Sequence, residues 1–528
     1  MKLPEISFKT LNAIEEKISH KLDETFGTEK STALTKSSAN NPTLVKNPTN
    51  YALDTIDDSL EPTENFSRKV NLAENEPLKL AVVGHTNTGK TSLLRTLLRD
   101  VYFGEVKNAP ATTRHVEKAL ISDSQTGENL VALYDTPGLE DASGLLDWLE
   151  ENTARRRDGI ERLQQFLASP VANEDFSQEA KVIRQLLASD MAIYVIDARE
   201  PVLGKYKDEL AVLSWSAIPV MPVFNFTHAQ NSQIADWQAM LARQNLHVST
   251  RFDSVAFEFD DEMNLWRNLA TMLIQLQVVQ QLIARRQADW DMLYEEATTA
   301  IAHFLLNVAS FVETIQEDDD PLPILTQMQE KVRQAERNCQ QTLLNLYKFY
   351  DNTVATTPLA LQHYQRDPFD ADLLASYGLR TTGGAAAGAL IGLGIDAAAL
   401  GTTLGLGAAI GGLAGGLLSN TGSIADKISG VKRLYIDPAT LALLTTRSMD
   451  LLYHLRHRGH AATGGICAEP SKNIKKWTPD TLPPLLKKAR GKPQWSSLNE
   501  GKMAIVSQKQ AHTLRDEAAW QLSAQLQG

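Results

Sequence analysis

The chain has 528 residues, of which 43% are hydrophobic and 22% charged, values typical of a globular protein with two to four domains. Its formal net charge of −12 argues against a general nucleic-acid-binding protein, and we expect no nucleic-acid partner. The two cysteines are too few for a disulfide framework, and no apolar stretch follows a basic N-terminus. We therefore expect a cytoplasmic protein, with peripheral attachment to the inner face of the cytoplasmic membrane as an open alternative.

The N-terminal region divides into a helix and a linker. Leu11, Ile14 and Ile18 recur at helical spacing, which predicts an amphipathic helix within residues 1–27. This pattern favours a helix that docks on its own protein over one that binds a membrane or a partner. Residues 28–76 are rich in Ser, Thr, Asn and Pro and lack periodicity, so we expect a flexible linker there.

A strand, a turn and a helix are predicted for the stretch LKLAVVGHTNTGKTSLLRTLL, residues 78–98. Its apolar run, Leu80 to Val83, predicts a buried strand, and residues 84–91 spell G-x-x-x-x-G-K-T. A helix-forming stretch follows directly. Strand, glycine-rich turn and helix in this order are the P-loop arrangement, which predicts a nucleotide-binding site.

Four residues of this turn carry the phosphate chemistry. Gly84 and Gly89 allow the backbone to curl so that its N–H groups face a phosphate chain. Lys90 would reach the β- and γ-phosphates, and the Thr91 hydroxyl would bind Mg²⁺.

An α/β domain with a mostly parallel sheet and helices on both faces is predicted for residues 77–261, because apolar runs alternate there with helical patterns. A helical pattern over about 145–187 is longer than a nucleotide-binding fold needs and predicts an insertion. The further predicted strands are Val116–Ile121, Leu130–Tyr134, Met191–Ile196, Val220–Phe224 and Ser254–Phe259.

A mainly α-helical C-terminal region follows this domain. Residues 262–370 carry long apolar stripes, which favour a helical bundle over a coiled-coil homodimer or a helical partner protein. Residues 371–430 contain a Gly-rich apolar stretch, 383–418, in which glycines recur every fourth residue, and this spacing predicts a tightly packed helical hairpin. Each helix is short for a bilayer, so contact with membrane lipids and a soluble hairpin stay open alternatives.

The last segment, residues 431–528, is basic over most of its length. Lysines close to tryptophan suit an anionic membrane surface or RNA, although a solvated face is the simpler interpretation. His454, His457 and His460 lack an accompanying acid or cysteine pair at metal-site spacing, so we expect no metal site there.

Two more motifs follow the P-loop in order. Asp135-Thr136-Pro137-Gly138 comes directly after a predicted strand. There the aspartate can hold Mg²⁺ through water, and the glycine N–H can sense the γ-phosphate. Residues 111–115, ATTRH, lie in a loop where a threonine can close over Mg²⁺. Three motifs in this order predict a nucleotide-dependent switch.

The stretches GHTNTGKTS, ATTRH and DTPGLED resemble the Era/TrmE branch of bacterial P-loop GTPases. The resemblance extends to a bacterial family that joins such a domain to a C-terminal domain of unknown function with a Gly-rich hairpin. The stretches that carry this wider resemblance are LLASDMAIYVIDAREPVLGKY, LLYHLRHRGHAA, KPQWSSL and the Gly-rich hairpin. It implies binding of GTP and GDP, Mg²⁺ as cofactor, and slow hydrolysis of GTP that drives a conformational switch.

The resemblance also implies individual roles. Thr113 would join Thr91 as an Mg²⁺ ligand, and Asn87 would help to hold a monovalent cation, K⁺, beside the phosphates. Leu139 stands where Ras-like proteins keep a water-orienting glutamine, so slow intrinsic hydrolysis is expected. The expected catalytic residues are Lys90, Asn87 and Thr113; the nucleotide-binding residues are Gly84, His85, Asn87, Thr88, Gly89, Lys90, Thr91, Ser92, Gly138 and Asn225; and the metal ligands are Thr91, Thr113 and Asp135.

The base-recognition motif departs from the family pattern. Relatives carry Asn-Lys-x-Asp after the fifth strand, where this chain has Asn225-Phe226-Thr227-His228. The missing carboxylate is the main physical reason for rejecting ATP, so specificity for GTP rests on the resemblance. Phe226 can still stack on a purine face, and residues 253–256 are expected to lie behind the base.

An alternative function of another class is open. On that hypothesis the chain is a nucleotide-dependent structural or membrane-remodelling assembly protein in which hydrolysis is secondary. The Gly-rich stretch and the long helices favour it.

Overall fold

The computed structural model describes residues 76–103, 116–154, 156–273, 276–316, 320–349, 361, 364–379, 395–398, 431–462, 475–499 and 505–527. The predicted N-terminal helix (1–27), the predicted linker up to residue 75, and Thr113 lie outside these residues.

A six-stranded sheet forms the centre of the predicted nucleotide-binding domain. Its spatial order is β2-β3-β1-β4-β5-β6, in which β2 runs antiparallel to β3 and all other neighbours are parallel. This sheet confirms the predicted mostly parallel α/β fold. The strands are β1 (Leu78–Val83), β2 (Glu117–Ser122), β3 (Asn129–Asp135), β4 (Met191–Asp197), β5 (Val220–Asn225) and β6 (Thr250–Arg251).

Helices cover both faces of this sheet. Between β3 and β4 the chain forms three helices and a 3₁₀ turn, over the residues whose helical pattern predicts an insertion. The helices are α1 (Lys90–Leu98), α2 (Ala142–Asn152), α3 (Gly159–Leu167), α4 (Ser177–Leu187), α5 (Gly204–Ser214), α6 (Ile234–Arg243) and α7 (Phe259–Met272), and the turn is Pro170–Ala172.

Strand β1 separates two hydrophobic cores because its side chains alternate between the faces of the sheet. Ala81 and Val83 belong to the core beneath the inserted helices. Leu80 and Val82 belong to a second core, which continues without a break into the C-terminal helices through Trp266. Each fully buried Leu or Val contributes about 1.5–3 kcal/mol, so this shared core joins the sheet firmly to the helical region.

The predicted strand Ser254–Phe259 is wrong. The sixth strand is the short β6, and α7 begins at Phe259. The Asp253 carboxylate accepts hydrogen bonds from the backbone N–H groups of Val255 and Ala256, at 2.9 and 3.0 Å. Because these two N–H groups donate to Asp253 within the turn, they do not donate to a neighbouring strand.

The C-terminal region is mainly helical, as predicted. Its central element, α8, packs against α7, α9, α11, α12 and α13. The apolar stripes predicted for residues 262–370 are interrupted between α7 and α8, and a strand follows α8 directly. The helices are α8 (Leu276–Ala309), α9 (Leu322–Leu346), α10 (Ala371–Ser376), α11 (Pro438–Arg456), α12 (Pro484–Ala489) and α13 (Ile505–Gln527), with 3₁₀ turns at Pro493–Trp495 and Ser497–Asn499.

A small antiparallel sheet corrects part of the predicted Gly-rich helical hairpin. It consists of β7 (Val312–Gln316), β8 (Ile395–Ala398) and β9 (Val431–Ile436), in the order β7-β9-β8. Because β8 lies within the stretch 383–418, these four residues are extended where a helix is expected. Antiparallel pairing with β9 holds these four residues in the extended conformation.

The rest of the stretch 383–418 lies outside the described residues. Within the part of the chain that the structure describes, no helix is long and apolar enough to cross a membrane.

Candidate nucleotide-binding site

The P-loop lies at the carboxyl end of β1, between β3 and β4, where the strand order changes direction. In open α/β sheets this is the crevice in which ligands bind. Gly89 has φ of 86°, a left-handed conformation that favours glycine. A Cβ atom on Gly84 would lie 2.6 Å from the Val195 carbonyl oxygen, so only glycine allows this approach to β4.

Lys90 holds a buried cation at this turn. Its Nζ donates hydrogen bonds to the carbonyl oxygens of Gly84 and His85, at 3.1 and 2.8 Å. Burial lowers the pKa of Lys90, and the negative charge of Asp135 opposes that effect. The arrangement places one positive charge beside backbone N–H groups, as a phosphate chain requires.

Thr91 and Asp135 form the metal-binding corner of the site. The Thr91 hydroxyl donates to Asp135 Oδ2 at 2.5 Å, and Asp135 is fully buried. Burial raises the pKa of Asp135 to about 6, against the opposing effects of the Thr91 hydrogen bond and the Lys90 charge. Asp135 Oδ1 has no hydrogen-bond partner among the described residues. A hydroxyl and an unpaired buried carboxylate oxygen fit Mg²⁺, which prefers oxygen ligands.

The segment after β3 packs directly on the P-loop. A Cβ on Gly138 would lie 2.3 Å from Thr86 Oγ1, so glycine is required for this contact. Leu139 donates its N–H to the Gly84 carbonyl oxygen at 3.3 Å, and its side chain is fully buried. A buried leucine cannot orient a water molecule at the phosphate end.

His85 makes side-chain contacts that sequence reasoning missed. Its Nδ1 lies 2.9 Å from the Leu139 carbonyl oxygen and 2.7 Å from Glu209 Oε1, and its Nε2 lies 2.7 Å from Lys205 Nζ. Glu209 is fully buried and also accepts a hydrogen bond from Tyr194. Both Glu209 and Lys205 lie on α5, more than 100 positions along the chain from His85, and no local motif marks them.

Asn225 joins the phosphate side of the site to the base side. Its Nδ2 donates to the Thr88 carbonyl oxygen at 3.1 Å, and its Oδ1 accepts from the N–H groups of Phe226 and Ser254, at 2.9 and 3.0 Å. Asn225 is fully buried. The Asn225 side chain, expected to bind nucleotide, thus directs its polar atoms at backbone groups of protein loops.

Phe226 lies between the P-loop and a paired arginine. A Cβ on Gly89 would lie 2.9 Å from its ring, and the Arg199 guanidinium lies 4.1 Å from the ring centroid. Asp197 holds that guanidinium through hydrogen bonds of 2.6 to 3.2 Å. One side of the ring therefore makes a cation–π contact.

His228 stands where the family pattern has a base-reading aspartate. The residue that binds His228 is a different aspartate, Asp253. Asp253 Oδ2 accepts from the His228 backbone N–H at 3.1 Å and lies 3.3 Å from its ring Nδ1. Burial alone would raise the pKa of Asp253, but hydrogen bonds from three backbone N–H groups and the histidine ring hold it below its usual value. Asp253 is only 3% exposed, and its carboxylate accepts hydrogen bonds from backbone N–H groups of the surrounding loops.

Three further residues of the predicted site lie in the P-loop or directly after it. Ser92 is half-buried in the first turn of α1, and Thr88 donates its hydroxyl to the His85 carbonyl oxygen. Asn87 is exposed and has φ of 65°, a left-handed conformation that asparagine tolerates. Within the described ranges no group of three or more His, Cys, Asp or Glu side chains could hold a metal ion.

Residues 79–226 match the family model described as a 50S ribosome-binding GTPase. GTPase Der of Clostridium kluyveri is 30% identical over 161 residues, which cover 28% of this chain and 35% of that protein. The tRNA modification GTPase MnmE of Nitratiruptor sp. is 30% identical over 135 residues, 25% of this chain and 29% of that protein. The chain thus spans about a third of the length of these relatives.

A solved structure of Aquifex aeolicus Era bound to GDP and AlF₄⁻ is similar at 15% identity and a TM-score of 0.27, covering 51% of this chain and 89% of that chain. The fold assignment rests on the strands described above and not on this low score. Residues 238–519 match the family model described as a domain of unknown function, DUF3482, and this match spans more than half of the chain. The chain therefore belongs to the DUF3482 family, with a preceding domain similar to bacterial P-loop GTPases.

Proposed function

We propose that this protein is a GTP-binding switch that hydrolyses GTP slowly and requires Mg²⁺. The observation that carries the proposal is the contact between Thr91 and the fully buried Asp135 beside the Lys90 ammonium. These three groups combine oxygen ligands with positive charge, which a metal–triphosphate needs. The similarity of residues 79–226 to GTPases supports guanine as the base.

Each residue has a defined task in this proposal. Lys90 binds the β- and γ-phosphates, Thr91 and Asp135 hold Mg²⁺ directly and through water, and the Gly138 N–H reports the γ-phosphate. Bound Mg²⁺ would neutralise charge on the phosphate oxygens. Thr113 remains part of the proposal as a second threonine ligand.

The segment after Gly138 has a route to the inserted helices. The backbone N–H groups of Glu140 and Asp141 both donate to Glu179 Oε1 on α4, at 3.2 and 3.1 Å. Glu179 is 4% exposed, so movement of this segment would leave a buried carboxylate without its donors. This contact supports transmission of the nucleotide state to the insertion.

A nucleotide-binding panel tests the proposal. We expect GTP and GDP to bind the full chain more tightly than ATP and ADP in equilibrium titrations with Mg²⁺. Lys90→Ala should lower GTP turnover about 100-fold or more, since it removes the positive charge that stabilises the transferred phosphoryl group. The matched control is Lys207→Ala, which removes an exposed lysine of α5. Failure to bind any of the four nucleotides would refute the proposal, and equal affinity for GTP and ATP would refute its guanine part.

Potassium is proposed as a second cation beside the phosphates, held with the help of Asn87. Turnover should be several-fold faster in K⁺ than in Na⁺. Asn87→Gly tests this because glycine keeps the left-handed backbone but removes the carboxamide. The variant should hydrolyse GTP equally in both salts. Equal rates for the wild-type chain would remove the role of Asn87.

Assembly or membrane attachment is the second candidate function, and exposed apolar side chains favour it. Trp520 on α13 and Met292 on α8 are 70% and 53% exposed and line one surface groove. Such patches are typical of partner surfaces. Sedimentation and liposome flotation, each with and without nucleotide, test it: a monomer that never floats in either state would exclude assembly and attachment.

A further inference from the structure

A turn of the C-terminal helical region contacts the loop that is expected to lie behind the nucleotide base. We call residues 253–258 the base-side loop and residues 457–460, which follow α11, the α11 turn. The two segments are about 200 positions apart in the chain.

The contact between them is mainly backbone to backbone. Gly459 donates its N–H to the Val255 carbonyl oxygen at 2.9 Å, and Ala256 and Arg458 form an isolated antiparallel β-bridge. A Cβ atom on Gly459 would lie 1.9 Å from the Ser254 carbonyl oxygen. Only glycine therefore permits this approach.

A side-chain pair adds to this contact. His457 Nδ1 lies 3.1 Å from Glu258 Oε2, and both side chains are partly exposed. An exposed pair of this kind contributes little to stability, so its removal should disturb the contact without unfolding the protein.

The other side of the α11 turn is fixed in the helical core. The His460 ring stacks on Phe349 with ring centroids 4.3 Å apart and an angle of 14° between the planes. Its Nε2 donates to the Tyr347 carbonyl oxygen at 3.0 Å, and His460 is 6% exposed. The turn is thus a rigid support for the base-side loop.

A buried chain of hydrogen bonds continues from this loop to the P-loop. Ser254 donates its N–H to Asn225 Oδ1, and Asn225 Nδ2 donates to the Thr88 carbonyl oxygen. The Ser254 carbonyl oxygen also accepts from Thr96 Oγ1 of α1 at 2.9 Å. Ser254 and Asn225 are fully buried, so displacement of Ser254 would change contacts on both sides of the nucleotide site.

We propose that the α11 turn positions the base-side loop and thereby sets the rate at which bound guanine nucleotide dissociates. This inference rests on the proposed GTP-binding function. It gives the DUF3482 region a task in nucleotide retention that is separate from the γ-phosphate-sensing segment after Gly138. Gly459 and His457 act through the loop and are positioning residues.

The test measures dissociation of N-methylanthraniloyl-GDP from the full chain by stopped-flow fluorescence, with excess unlabelled GDP as the chase. Gly459→Ala should accelerate dissociation about 10-fold, as expected for loss of a buried hydrogen bond and a forced backbone shift. His457→Ala should accelerate it about two- to threefold. The control is Gly491→Ala, where the new Cβ meets only the Lys488 carbonyl oxygen at an ordinary 3.5 Å, and its rate should equal that of the wild type.

A second readout separates positioning from general destabilisation. Competition by inorganic tripolyphosphate reports the phosphate side alone, and its affinity should fall much less than that of GDP in Gly459→Ala and His457→Ala. Equal losses of GDP and tripolyphosphate affinity, with a lower Tm, would show a merely structural contact and overturn the inference. If Gly459→Ala does not fold, His457→Ala and Glu258→Ala still decide it.

Unchanged dissociation rates in the variants, with GDP still bound by the wild type, would overturn this inference and leave the proposed function standing. Absence of GDP binding by the wild type would overturn the proposed function and this inference with it.

Discussion

The phosphate side and the base side of the nucleotide site are built in different ways. On the phosphate side, Lys90 and Thr91 come after β1, and Asp135 ends the neighbouring parallel strand β3, 45 positions from Lys90. On the base side, the side chains of Asn225 and Asp253 form hydrogen bonds with backbone groups of protein loops.

The sources of support differ as well. The base-side loop is held by the α11 turn, with His457 and Glu258 199 positions apart. The proposed phosphate side is therefore built from motifs at the ends of neighbouring strands, whereas the proposed base side depends on how distant segments of the chain pack. Three substitutions test this difference, and the largest effect is expected where the two sides meet.

Asn225→Ala should break both sides together. It removes the donor to Thr88 and leaves the buried N–H groups of Phe226 and Ser254 without their acceptor. Unsatisfied buried groups cost about 1–3 kcal/mol each, so we expect the free energy of unfolding to fall by about 3 kcal/mol. Urea denaturation followed by circular dichroism measures it, with the exposed Asn231→Ala as control. A change below about 0.5 kcal/mol, the usual range for a surface substitution, would contradict the joining role.

His460→Phe should change how the free energy of unfolding depends on pH. Burial lowers the pKa of His460 to about 3, and the charge of Arg99 adds to this effect. The unfolded chain binds the proton near pH 6.5, so the folded state loses stability as the pH falls from about 6.5 towards 3, by about 1.4 kcal/mol per pH unit.

Phenylalanine keeps the stack on Phe349 and removes the titrating group. The difference in unfolding free energy between pH 7 and pH 5.5 should therefore shrink in this variant. The exposed His247→Phe should leave that difference as in the wild type. An unaltered acid slope in His460→Phe would mean that protonation of this buried ring does not cause the loss of stability at acid pH.

His228→Asp should sharpen base selection without touching the phosphate side. The new carboxylate would accept hydrogen bonds from guanine N–H groups that adenine lacks, although the neighbouring Asp253 charge reduces the gain. We expect the ratio of GDP to ADP affinity to rise about 10-fold, the value of one charge-assisted hydrogen bond. His228→Asn serves as the uncharged comparison. A ratio that stays at the wild-type value would show that this position does not face the base.

The predictable parts of the fold share one property. Strands β1, β3, β4 and β5 are mostly apolar and lack polar alternation, because a strand with both faces covered needs none. The P-loop and the motif at Asp135 can also be predicted from the sequence, since glycine and the phosphate-binding side chains must occur at fixed spacings.

The sequence predictions that the structure corrects lie where a hydrogen-bond partner, local or distant in the chain, outweighs the local sequence pattern. The stretch Ser254–Phe259, expected as a strand, begins as a loop because the backbone N–H groups of Val255 and Ala256 donate hydrogen bonds to the Asp253 carboxylate. Ile395–Ala398 is extended because β9 pairs with it. His85 was expected only as part of the P-loop, yet Glu209 and Lys205 of α5 bind its ring. No local periodicity carries such pairings.

What this sequence determined by itself is a triphosphate-binding turn between a buried strand and a helix, because that geometry follows from neighbouring residues. Tertiary structure alone decided how the base side is held. Asn225, Ser254 and Gly459 come from three distant segments, and their contacts exist only once a shared core has packed the helical region against the sheet. Long-range packing therefore set the surroundings of the base.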